Sequence, residues 1–226
     1  MITVHYLNNS RAQRILFMLE ELGIEYETNV FFRVNGLAPP NLKEIHPLGK
    51  SPVITDGDLK LAESGAIVEY LANKYGKDSL LVEGEPDDPA VLNNRYWMHY
   101  AEGSLTPPLL VNIIFNRIKH AKVPFFVKPI SNRIVEQVMS SYIGPNITAH
   151  FGFVEDYLSN NEFFGGDRLT TADVMMLFPL EGAMTQKSLQ EQYPKCFAYV
   201  NRMQARPSYQ RALEKGEPYD FAQTGQ

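Results

Sequence analysis

The stretch TVHYLNNSRAQRILFMLEELGIEYETNVFFR, residues 3–33, carries two periodicities in succession. Thr3 to Leu7 is short, β-branched and aromatic, which is strand chemistry, and the polar break Asn8-Asn9-Ser10 ends it. Over residues 11–22 apolar side chains recur at Ile15, Leu16, Met18, Leu19 and Leu22, which is helical spacing, and Gly23 supplies the stop. Glu25 to Arg33 returns to strand chemistry around Val30, Phe31 and Phe32. Strand, helix and strand in so short a span form a βαβ unit, whose two strands run parallel.

Beyond this unit, Ala38-Pro39-Pro40 breaks the chain and Asn41 to Ile45 predicts a short helical turn. Pro52-Val53-Ile54-Thr55 and Leu59-Lys60-Leu61 flank the turn Asp56-Gly57-Asp58, so they predict an antiparallel hairpin. Ser64 to Tyr75 is again helical and ends at Gly76. The order βαβ–α–ββα predicts an N-terminal α/β, thioredoxin-like domain over residues 1–80, with a mixed four-stranded sheet. The acidic, proline-rich run Gly84-Glu85-Pro86-Asp87-Asp88-Pro89 predicts a linker over 81–88. The remainder, 89–226, lacks strand alternation and predicts an all-α domain, with helices near 89–117, 127–159, 171–184, 195–205 and 208–215.

At 226 residues the chain has the length of one or two domains. Its net charge of −5 gives no electrostatic ground for nucleic acid as a partner. Cys196 is the single cysteine, which excludes intramolecular disulfides, cysteine-rich zinc sites and CxxC dithiol chemistry by counting. His5, His99, His120 and His150 have no paired metal-ligand spacing, so no metal is expected. No apolar run approaches membrane-spanning length, and Met1-Ile2-Thr3-Val4-His5 lacks a charged-then-apolar leader, so the expectation is a cytosolic protein.

A thioredoxin-like domain without a dithiol, followed by a helical domain, resembles the cytosolic glutathione transferase superfamily over nearly the whole chain. The strings His5-Tyr6-Leu7-Asn8-Asn9-Ser10-Arg11-Ala12-Gln13-Arg14 and Glu102-Gly103-Ser104-Leu105, with Pro107-Pro108-Leu109, are similar to its fungal and bacterial branch. A yeast member of that branch is associated with the endoplasmic reticulum. The resemblance implies an enzyme that binds reduced glutathione as co-substrate, with no covalently bound cofactor. Such an enzyme stabilises the glutathione thiolate and directs it at a small hydrophobic electrophile or a peroxide. It also implies a homodimer, with peripheral membrane attachment open by likeness alone. The alternative is a non-catalytic binding or assembly module on the same fold. Retention of a full glutathione signature argues against the module.

By the same resemblance Ser10 is the catalytic residue, a hydroxyl donor to the glutathione sulfur where strand one meets helix one. A hydroxyl and the positive end of a helix both favour a thiolate. The residues by themselves also permit another reading: Ser10-Arg11-Ala12-Gln13 has the S-x-x-Q form of a capping box. Asn9 or a backbone N–H is the rival donor. Ser51-Pro52 matches the family's cis-proline, which exposes the Ser51 main chain to the cysteinyl part of glutathione like an added strand. Lys50 precedes it, within reach of tripeptide oxygens. Glu63 and Ser64 open a helix after the hairpin, a place suited to the γ-glutamyl carboxylate and ammonium. The family's basic residue for the glycine carboxylate is missing from Leu37-Ala38-Pro39-Pro40, which leaves Arg33, His46 or Lys50 for that contact. Tyr100, Leu105, Leu109 and Ile113 are the expected electrophile-pocket residues, with an aliphatic core stripe as the other reading.

Two further features are read as scaffold. Thr170 and Asp173 have N-cap and N3 spacing and match a buried capping motif of the family. Arg11 and Arg14 each predict a pairing with a carboxylate elsewhere in the chain.

Overall fold

The computed structural model describes residues 1–77, 79–217 and 219–222. Strand β1 (Ile2–Leu7), helix α1 (Gln13–Leu22) and strand β2 (Tyr26–Phe31) form the βαβ unit. The short helix α2 (Leu42–Ile45) follows, then β3 (Val53–Asp56), β4 (Leu59–Ala62) and α3 (Ser64–Tyr75). The sheet order is β2-β1-β3-β4. β1 runs parallel to β2, with Ile2 opposite Tyr26, and antiparallel to β3, with Ile2 opposite Asp56. The hairpin β3–β4 pairs Val53 with Ala62. Gly23 ends α1 in the left-handed region at φ 64°, donating its N–H to the Glu20 carbonyl, which is the stop that a glycine supplies at no steric cost.

The rest is mostly helical: α4 (Pro89–Tyr100), α5 (Thr106–Lys119), α6 (Lys128–Val138), α7 (Gly144–Asn160), α8 (Thr171–Met184), α9 (Lys187–Gln192), α10 (Pro194–Gln204) and α11 (Pro207–Lys215). The two long helices expected at 89–117 and 127–159 are each interrupted. A π-helical turn, Ala101–Leu105, joins α4 to α5, and another, Met139–Ile143, joins α6 to α7. Both lie just before proline, at Pro107-Pro108 and Pro145. Proline removes an N–H and crowds the preceding turn, and a wider turn relieves both. Thr106 helps at the first site, its hydroxyl donating to the Ala101 carbonyl at 2.6 Å. Helix α9 has about two turns and no buried residue, so no apolar period marks it in the sequence.

One hydrophobic core runs through both halves of the chain. Ile15 to Leu19 of α1 are fully buried, as are Ile67, Val68 and Leu71 of α3 and most of α8. Apolar character around the whole circumference of α8 is what a helix enclosed on all sides requires. Ion pairs close the seam between α1 and α11: Arg211 to Glu20 at 2.7 Å, Lys215 to Glu20 at 2.7 Å and Arg206 to Glu21 at 2.6 Å.

Glu181 lies within this core on α8 and accepts hydrogen bonds from Tyr209, Gln204 and Tyr219. Burial pushes its carboxyl up to about 7, against the downward pull of those three donors. The folded chain thus holds the proton more tightly than the unfolded chain, whose glutamate titrates near 4.5. Stability from this group is complete below about 4.5 and is lost as pH rises through about 7. Glu181→Gln, which cannot ionise, should therefore gain on the wild type across that window and stay level above it. Urea midpoints of the two proteins at a series of pH values measure this, and a constant difference would contradict it.

Candidate active site

A cleft of about 640 Å³ opens between the sheet domain and α4. On the sheet side its walls are Arg11, His46, Leu48, Lys50, Ser51, Pro52 and residues 62–66, and on the helical side Met98, His99, Glu102, Gly103 and Met175.

The Ser51–Pro52 peptide is cis. The Ser51 hydroxyl donates to the His5 carbonyl at 2.9 Å and accepts from the Leu7 N–H at 3.2 Å. The side chain thus ties this turn to β1, while the Ser51 main chain bonds to no other described residue. An extended ligand can pair with it as a strand pairs with a sheet edge.

Next to it, Glu63 has φ 72° and ψ 122°, a backbone region that costs a bulky residue on the order of 1–3 kcal/mol and marks functional turns. Its side chain does not cap α3. The first intrahelical bond is Ile67 N–H to the Glu63 carbonyl at 2.9 Å, so the N–H groups of Ser64, Gly65 and Ala66 have no partner in the helix. All three residues line the cleft, and the positive end of a three-turn helix therefore faces it.

Across the cleft, Glu102 accepts from Arg11 Nε at 3.0 Å and from Arg14 Nη1 at 2.8 Å. Burial alone would raise the Glu102 carboxyl, but Arg14 and Arg11 outweigh it and hold it below the ordinary carboxylate range. This is the carboxylate partner expected for the two arginines. Both guanidiniums also lie over the Phe178 ring, at 5.5 Å and 4.9 Å from its centroid.

Ser10 is buried at the β1–α1 junction; it does not itself line the cleft, although Arg11, the next residue, does. Its hydroxyl oxygen accepts the Ala12 N–H at 3.2 Å, and its own O–H has no acceptor among the described residues. The capping box is not formed: α1 starts at Gln13, whose Oε1 accepts from the Tyr6 hydroxyl at 3.2 Å instead of reaching back. Asn9 likewise does not line the cleft, and its side chain bonds Asp220. Arg33 gives its guanidinium to the carbonyls of Asn8, Asn9 and Gly36, whereas His46 and Lys50 stand on the cleft wall.

The four residues expected to hold an electrophile are not gathered on that wall. Tyr100 bonds His150 Nδ1 at 2.6 Å inside an aromatic cluster. Leu105 is fully buried, Leu109 is half-buried, and Ile113 is exposed on α5. Met98, His99, Glu102 and Met175 occupy the helical wall in their place. The i, i+4 pair Met98 and Glu102 marks the face that sequence reading missed. Among the described residues no group of three His, Cys, Asp or Glu could hold a metal ion.

Residues 1–73 match the family profile described as glutathione S-transferase, N-terminal domain, and residues 120–216 match glutathione S-transferase, C-terminal domain. The chain is 34% identical over 217 residues to glutathione S-transferase 3 of Schizosaccharomyces pombe, spanning 96% of this chain and 88% of that one. It is 34% identical over 223 residues to glutathione S-transferase 1 of Saccharomyces cerevisiae, spanning 95% and 94%. The crystal structure of a glutathione S-transferase from Actinobacillus pleuropneumoniae superposes with a TM-score of 0.79 at 31% identity, covering 100% of this chain and 97% of the other.

Proposed function

This chain belongs to the glutathione S-transferase family and is an enzyme with glutathione as co-substrate, and we propose the following division of labour among its residues. Glutathione lies along the cleft with its cysteinyl part on the Ser51 main chain. Its γ-glutamyl carboxylate sits at the N-terminus of α3, on Ser64, with Glu63 meeting the ammonium. Lys50 and His46 face the glycine carboxylate. Ser10 donates to the thiolate. The observation that carries this reading is the unpaired Ser51 main chain on the same cleft wall as the uncapped start of α3. Nothing covalent is asked of the protein, since glutathione brings the nucleophile and the chain supplies orientation and oriented dipoles. Conjugation to hydrophobic electrophiles and reduction of organic peroxides both follow from a positioned thiolate. Calorimetry with reduced glutathione, paired with turnover of a chloronitrobenzene and of an organic hydroperoxide, tests the proposal. Binding without turnover of either would favour the non-catalytic module. The thioredoxin-like unit 1–80, the connection 81–88 and the helical unit 89–226 are proposed as its parts.

We also propose a homodimer, supported by the half-exposed apolar residues Leu92 and Tyr96 on α4 and Phe153 on α7. In that pairing α3 of one protomer meets α4 of the other. Sedimentation at micromolar concentration should give twice the chain mass, and a monomer would contradict it.

No described helix is long and apolar enough to cross a membrane. Our reading is a cytoplasmic enzyme with peripheral attachment to a membrane such as that of the endoplasmic reticulum, and the α5–α6 hairpin supports it. Residues 103–135 contain no acid and five basic residues, Arg117, Lys119, Lys122, Lys128 and Arg133, in a chain of net charge −5. Phe125 is 87% and Phe126 66% exposed at the tip, next to an apolar groove lined by Ile118, Ile130 and Ile134. Basic residues near an anionic leaflet contribute about 1 kcal/mol each. Flotation with vesicles containing phosphatidylserine should carry the wild type and lose Phe125→Ala/Phe126→Ala. Equal flotation of both proteins, or none of either, would remove this attachment.

A further inference from the structure

The Asn9 side chain is committed to a contact outside the cleft wall. Asn9 immediately precedes Ser10 and has φ 51°, a left-handed conformation that asparagine tolerates but does not prefer. Its side chain is fully engaged: Nδ2 donates to Asp220 Oδ2 at 2.7 Å, and Oδ1 accepts the Asp220 N–H at 2.8 Å. Its carbonyl accepts from Arg33 Nη2 at 3.1 Å, while Arg33 Nε donates to the Asn8 carbonyl at 3.2 Å. The turn ahead of Ser10 is thus gripped from two sides, by an arginine of the sheet domain and by a residue near the far end of the chain.

Asp220 is itself anchored. Tyr219 is buried and donates to Glu181 Oε2 at 2.9 Å, and Gln204 donates to the Phe221 carbonyl at 3.1 Å. The Phe221 ring packs on Phe178 at 5.7 Å, the same ring over which Arg11 and Arg14 lie. The anchor therefore reaches the residues on both sides of Ser10, namely Asn9 directly and Arg11 through Phe178.

We propose that Asp220 is a positioning residue for the reaction: its reciprocal pair with Asn9 holds the left-handed turn that aims the Ser10 hydroxyl at the glutathione sulfur. The proposal rests on Ser10 as the thiolate donor. Without the clasp, only the Arg33 contacts to the Asn8 and Asn9 carbonyls hold the turn, and a shift of Asn9 toward negative φ would re-aim the next residue. Misplacing a catalytic group by an ångström is worth up to about 100-fold in rate.

The test uses the full chain and two readouts, the pH titration of thiolate absorbance in bound glutathione and the separate kcat and KM. Asp220→Ala removes the carboxylate end of the clasp. Asn9→Gly removes the other end while still permitting positive φ. Both should raise the pKa of the bound thiol and lower kcat about tenfold, with the KM for glutathione changed less than about twofold. Asp220→Asn keeps an oxygen acceptor and the main-chain N–H, and should restore most of the loss. If Ser10→Ala raises the thiol pKa but Asp220→Ala leaves it at the wild-type value, the clasp is overturned and Ser10 stands. If Asn9→Gly raises it and Asp220→Ala does not, Asn9 is itself the donor and the proposal fails. If Ser10→Ala also leaves the titration unchanged, the reading of Ser10 falls and this inference with it. A lowered melting temperature with an unshifted titration would reduce Asp220 to a structural contact and overturn its positioning role.

Discussion

Ser10→Ala is expected to retain glutathione binding and to slow conjugation by as much as roughly 10²–10³-fold, the usual loss when one oriented donor to a developing anion is removed. A thiol in free solution is mostly protonated at neutral pH, whereas the attacking species is the anion. Ser10 sits at the β1–α1 junction with its oxygen accepting from the Ala12 N–H at 3.2 Å. That bond polarises the hydroxyl and leaves its proton for an incoming sulfur, so one side chain serves the turn and the reaction together. The two roles separate by measurement. Loss of the turn bond alone predicts about 1 kcal/mol of stability lost and a normal rate per folded molecule. Loss of the donor predicts a raised thiol pKa in the complex and a fall in kcat, with affinity nearly intact. Ser10→Cys should add thiol–disulfide exchange, since it places a sulfur near the start of α1. An unshifted thiolate titration in Ser10→Ala would transfer the role to Asn9 or to a backbone N–H.

What was legible in the sequence was whatever depends on neighbours along the chain. Gly23 ends α1 because a left-handed C-cap is a local demand, and the turn Asp56-Gly57-Asp58 sets the β3–β4 register for the same reason. The period-2 and period-3.6 patterns gave the sheet and its covering helices. Lys50, Ser51, Pro52, Glu63 and Ser64 are brought to one cleft because each stands at the end of an element whose limits are local. The helical wall was less legible. Met98 and Tyr100 are two residues apart on α4, so the helix period puts them on opposite faces, and only the packing of α7 decides that the Tyr100 face meets His150 while the Met98 face meets the cleft. The Asn9–Asp220 pair spans nearly the whole chain, and no pattern at such a separation announces itself. The π-helical turns had a signal in Pro107-Pro108 and Pro145, since proline inside a helical period must be accommodated somewhere.

Asp173→Ala is expected to cost about 3–5 kcal/mol, well beyond the roughly 1 kcal/mol of a lost cap, because what it breaks is a buried hydrogen-bond network with several donors. Thr170 and Asp173 do form the expected capping box on α8: the Thr170 side chain caps the helix, and the Asp173 carboxylate accepts the Thr170 N–H at 3.0 Å. The carboxylate does more than cap. It also accepts the Phe164 N–H at 2.8 Å, the Gly165 N–H at 3.3 Å and the Tyr199 hydroxyl at 2.9 Å. Asp173 and Tyr199 are both fully buried, so alanine would strand several donors where water does not reach. Each stranded donor costs about 1–3 kcal/mol unless the structure relaxes around it. One side chain thereby joins the 164–170 loop, the start of α8 and the middle of α10, and its loss should loosen all three together. Urea unfolding should show the lower midpoint, with a reduced yield of folded protein. Glutathione affinity in the folded fraction should not change, because none of these donors faces the cleft. A loss confined to about 1 kcal/mol would mean that the stranded donors find new partners, and would return Asp173 to the rank of an ordinary cap.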